Sequence, residues 1–145
     1  MATLYRWVLA VFAGLAVSII LAEAAMALHQ LLGAPQPLLA RLASGQPFGP
    51  SAQAGLMAIW LLAALPGGAM AAALGRLVGL GLLVGLGCGA VLAFSALVGG
   101  HPDSIALSLG LVPVLGALIG MRIAQHLKTL DRQSSADAGA VRPRL

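Results

Sequence analysis

Charge is scarce in this chain. Asp, Glu, Lys and Arg make up 8% of its 145 residues, where a soluble domain carries about a quarter. Aromatic residues are equally thin at 4%, and the single cysteine, Cys88, excludes an internal disulfide, a redox cysteine pair and a thiolate zinc cage. Four acidic residues stand against eight Lys and Arg, and a formal net charge of +4 is too small and too scattered for nucleic-acid binding. These shortages exclude an ordinary water-soluble domain. In their place are 60% hydrophobic residues, 19 glycines and runs of Ala and Leu. That is the composition of helices packed closely in lipid.

A helix needs about 20 apolar residues to cross roughly 30 Å of hydrocarbon at about 1.5 Å per residue. Four stretches reach that length: Trp7 to Leu28, Ala54 to Gly75, Leu77 to Val98, and Ser104 to Met121 with a short extension to residue 123. They predict an all-α polytopic membrane protein, a single four-transmembrane-helix bundle over residues 1–124. Residues 29–53 hold Gly33, Pro35, Pro37, Gly45, Pro47, Gly49 and Pro50, which forbids a continuous helix. Within them Pro37 to Ala43 predicts an interfacial turn or two. Arg76 alone parts the second and third runs, predicting a tight hairpin, and Gly99 to Asp103 is a similarly short link. Residues 125–145 turn polar and basic and read as a frayed helix end followed by a disordered tail.

Seven basic residues (Arg6, Arg76, Arg122, Lys128, Arg132, Arg142, Arg144) fall on one side of this arrangement and Arg41 alone on the other. The positive-inside rule then puts both termini in the cytoplasm. The N-terminal run resembles a signal peptide in its leading Arg and its small-x-small sites around Glu23. Its length and its continuation to Leu28 predict a retained membrane span instead.

Glu23 is the one ionisable residue well inside an apolar run, 17 residues after Arg6, or about 25 Å of helix. A carboxylate so placed usually faces the bundle, because lipid offers it no partner. Ser95, Ser108 and, just above them, His101 lie at a comparable depth, so an intramembrane polar cluster of Glu23, Ser95, His101 and Ser108 is predicted, with His29 and Asp103 on the same side. The plainer alternative is a glutamate that hydrogen-bonds a neighbouring helix and does nothing more. The spacing of these residues matches no metal-ligand signature, and neither a metal nor a cofactor is expected. His101-Pro102-Asp103-Ser104 also has a structural meaning, with Pro at the first helical position and Asp in the first turn.

Gly81, Gly85 and Gly89 recur every fourth residue in the third run, and Gly116 and Gly120 repeat the spacing in the fourth. Such faces let helix backbones approach closely. Pro66 and Pro113 each remove one helical hydrogen bond, freeing the carbonyls of Leu62 and Leu109. Helix kinks are expected there, at similar depths.

Glu23 late in the first run, the tract Leu65-Pro66-Gly67-Gly68-Ala69 in the second, His101-Pro102 before the last, and Pro113 with Gly116 within it come in a recognisable order. Over residues 20–123 the chain resembles a group of small bacterial four-span integral membrane proteins of unassigned activity. Asp103 departs from that pattern, which has an apolar or aromatic residue after the His-Pro. The resemblance implies a bacterial inner-membrane location and no particular chemistry. No nucleophile, base and orienting partner can be assembled, so the chain is not expected to be an enzyme. Its expected role is a packing or accessory protein that self-associates or joins a larger membrane complex. The alternative is a small proton- or cation-coupled transporter or channel subunit using Glu23. The lipid bilayer is its expected surrounding, with a homo-oligomer or another membrane protein as partner.

Overall fold

Uninterrupted apolar sequence with good helix formers leaves the backbone one solution in lipid, which is to satisfy every N–H and C=O within a helix. The computed structural model describes residues 2–32, 37–47, 49–77 and 79–140. They form helices α1 (Ala2–Leu31), α2 (Leu38–Ala43), α3 (Pro50–Gly75), α4 (Gly79–Val98) and α5 (Asp103–Ala140), with no strand among the described residues. α1, α3, α4 and α5 are each long and apolar enough to cross a membrane. The protein is an all-α four-helix bundle.

Local chemistry sets the helix ends. α3 opens with Gly49 in an extended conformation and Pro50 at its first turn, and closes at Arg76, a non-glycine residue with φ of 58°. The second connection therefore spans residues 76–78 rather than Arg76 alone. α4 ends in a Schellman motif: the His101 N–H donates to Ala96 O and the Gly100 N–H to Leu97 O, with Gly100 at φ 70°. Pro102 lies one residue outside α5, as its cap, and its carbonyl accepts from the N–H groups of Ile105 and Ala106. At the opposite end of the bundle Arg6 donates from Nε to Leu74 O at 3.0 Å, pairing a cation with the last turn of α3.

Beyond the apolar run the backbone of α5 stays helical to Ala140. Ala, Gln, Leu, Lys and Arg are good helix formers, no proline intervenes before Pro143, and the membrane-embedded part has already met the cost of nucleation. Residues 141–145, including Arg142 and Arg144, lie outside the described residues.

The helices alternate in direction. α1 packs on α3 and α4, and α5 packs on the same two from the other side. Backbone approaches define the seams. Beta carbons built on the glycines would meet main chain: Gly81 against Gly68 O at 2.7 Å, Gly85 against Val114 Cα at 2.8 Å, Gly68 against Ala117 O at 2.6 Å. Gly89 likewise abuts Gly110 O, Gly116 abuts Leu61 O and Gly120 abuts Leu65 O. On the α1 side, Gly67 sits against Gly14 O and the buried Ser18 hydroxyl. Lipid is as apolar as a leucine side chain, so these contacts rather than water exclusion hold the helices together.

Candidate functional site

Leu38 and Leu42 bury themselves in the core and pin α2 across the ends of α3 and α4. The pinning is polar as well, because His101 Nε2 lies 3.0 Å from Leu42 O, and Gly99 packs directly on that carbonyl. Arg41 donates from Nη2 to Pro47 O at 2.9 Å, which closes the following turn. Pinned in this way, α2 stands off from α1, and a groove of about 510 Å³ opens between α1, α2 and the end of α4.

α1 contributes Glu23, Met26, Ala27 and Gln30 to the groove, which share a face at three- and four-residue spacing. α2 forms the opposite wall with Pro37, Leu39, Ala40 and Ala43, and Ser95 of α4 completes it. Three alanines and no aromatic ring line it, which is why it is roomy. The Glu23 carboxylate is exposed to this space and makes no hydrogen bond or ion pair within the described residues. The Ser95 hydroxyl donates to Val91 O at 2.8 Å, so it has lone pairs but no hydrogen to offer.

The four residues expected to cluster are thus distributed among three places. Glu23 and Ser95 share the groove. Ser108 is at a similar level but across the bundle, since α1 and α5 lie on opposite sides of α3 and α4. It donates to Ile105 O at 2.9 Å and accepts from Gln53 Nε2 at 3.3 Å. His101 holds α2. Asp103 lines a separate surface depression with Ser104, on the α4–α5 side, and His29 is exposed on α1 outside the groove. Among the described residues no three His, Cys, Asp or Glu side chains converge as metal ligands. Cys88 is buried.

Pro66 and Pro113 both lie inside continuous helices, but they are not level with each other. Leu65 abuts Gly120, seven residues beyond Pro113, or about 10 Å along α5. Pro113 instead sits beside Gly85. Counting from the apolar runs missed this, because α3 begins at Pro50, four residues before the run that starts at Ala54.

Two site residues were missed in the sequence. Gln30 was legible as seven residues after Glu23 on the same helical face. Gln53, the partner of Ser108, precedes the apolar run and had no signal of its own. No known protein family, characterised protein or solved structure matches this chain.

Proposed function

We propose that this chain is a non-enzymatic integral membrane protein that self-associates or joins a larger membrane complex, with α1 as its docking element. The observation that carries this reading is the unequal engagement of the helices. Of the most apolar stretch of α1, 22% of residues are buried, against 44% in α3 and 39% in each of α4 and α5. α3, α4 and α5 are locked together by main-chain contact, whereas the outer side of α1 presents Leu9, Phe12, Ile19 and Ile20. In this reading the protein sits in a bacterial inner membrane with both termini cytoplasmic, in keeping with the family resemblance and with Arg6, Arg76, Arg122 and Lys128 at the end away from α2. A photo-crosslinking residue at Phe12, activated in native membranes, should give a discrete protein adduct, either at twice the chain mass or at the mass of a partner. Adducts to lipid alone refute the proposal.

A second reading, a proton- or cation-coupled subunit, is favoured by the unpaired Glu23 carboxylate facing a groove. Proton flux in proteoliposomes that is abolished by Glu23→Gln supports it, and identical flux in the two proteins refutes it.

A further inference from the structure

The groove has chemistry of its own. Among the described residues its single formal charge is the Glu23 carboxylate, and no Lys, Arg or His lines it. Glu23 and Ser95 Oγ, whose hydrogen is committed to Val91 O, bring hydrogen-bond acceptors to one space, and Gln30 lines the same groove two turns further along α1. A primary ammonium group carries three N–H donors and no acceptor, so it complements this set. A quaternary ammonium group is recognised by aromatic faces, and none is present here. A phospholipid headgroup would bring a phosphate for which the groove holds no cation.

The groove also opens towards lipid. Ile19, one turn deeper than Glu23, is 49% exposed, and Val91, one turn deeper than Ser95, is 56% exposed. An alkyl chain attached to an ammonium group at Glu23 would run down this apolar seam towards the middle of the bilayer. A volume near 510 Å³ is within the range of small-molecule sites, about 300–1,000 Å³.

We propose that the groove between α1, α2 and α4 binds a long-chain primary amine, a phosphate-free cationic amphiphile, by its ammonium group on Glu23 and Ser95. At neutral pH such an amine is protonated, since its pKa resembles that of lysine, about 10.4. A charge-assisted hydrogen bond in low dielectric is strong and is unavailable to the methylated analogue.

The test is native mass spectrometry of the full chain in nonionic detergent, titrated with dodecylamine, dodecyltrimethylammonium or phosphatidylethanolamine. Dodecylamine should occupy the protein about tenfold more readily than dodecyltrimethylammonium. Glu23→Gln should remove that preference. Ala40→Leu, a change at an exposed groove wall that leaves the carboxylate in place, should lower dodecylamine occupancy. Equal occupancy by the two dodecyl cations in the wild-type chain overturns the proposal without recourse to any variant. So does an undiminished preference in folded Glu23→Gln, and binding of phosphatidylethanolamine in preference to dodecylamine overturns the phosphate-free assignment.

Discussion

Gly85→Ala adds one methyl group at the seam between α4 and α5, and its effect can be worked from distances. The new Cβ would lie 2.8 Å from Val114 Cα, 2.9 Å from Ala117 Cβ and 3.0 Å from Pro113 O. Two of these atoms are backbone and the third is a Cβ fixed to it, so no side chain can rotate away. Reaching an ordinary contact of 3.4 Å requires α4 to retreat by about 0.6 Å. A gap of that size forfeits a quarter or more of each van der Waals contact along the seam, at about 0.1–0.2 kcal/mol per atom pair at full depth. Several tens of such pairs lose about 1–2 kcal/mol, inside the range of about 1–3 kcal/mol for overpacked cores. The helix propensity of Ala over Gly offsets up to about 1 kcal/mol of it. Gly87→Ala gains the same propensity inside α4, where its Cβ meets only the far end of the Leu15 side chain, at 3.1 Å. The assay is thermal unfolding in detergent, read by circular dichroism or by loss of the monodisperse peak. Gly85→Ala should melt several degrees below Gly87→Ala, since about 1 kcal/mol corresponds to roughly 2–8 °C. Equal melting temperatures for the two would refute the claim that main-chain contact closes this seam.

Three further outcomes are expected. Ser44→Cys should react with an impermeant thiol reagent applied outside intact cells and Lys128→Cys should not. The wild-type chain supplies the blank because Cys88 is 3% exposed, and the reverse pattern contradicts the topology. Gln53→Leu removes the 3.3 Å bond to Ser108 and should cost about 0.6 kcal/mol, as interhelical hydrogen bonds in membranes average; a loss above about 2 kcal/mol would mean the pair carries more than that bond. His101→Ala removes the contact with Leu42 O, and hydrogen exchange should speed up at Arg41 and Ser44, whose amides donate within and just beyond α2, while the amides at the centre of α4 keep their protection. Unchanged exchange at both positions would show that Leu38 and Leu42 hold α2 without the imidazole.

The sequence alone determined the number of crossing helices and the residues on which they turn. Bilayer thickness converts run length directly into a span, and Pro and Gly act locally through φ and the missing N–H. The four-residue glycine spacings, a short-range property, likewise marked faces of α4 and α5. What needed the tertiary structure was the rotation and neighbours of helices that are apolar all round. α1 has almost no apolar asymmetry, so nothing in its sequence says which side meets α3 and which meets lipid. That rotation turned Glu23 towards a space bounded by α2 and Ser95 instead of towards Ser108 across the bundle. The start of α3 four residues ahead of its apolar run separated two prolines that residue counting had put at similar depths, and continuation of α5 past the apolar run depended on a helix already nucleated in the bundle. Depth in a membrane is one coordinate and follows from counting. The other two are set by which backbones can approach, and that is decided only when glycines on one helix find carbonyls on another.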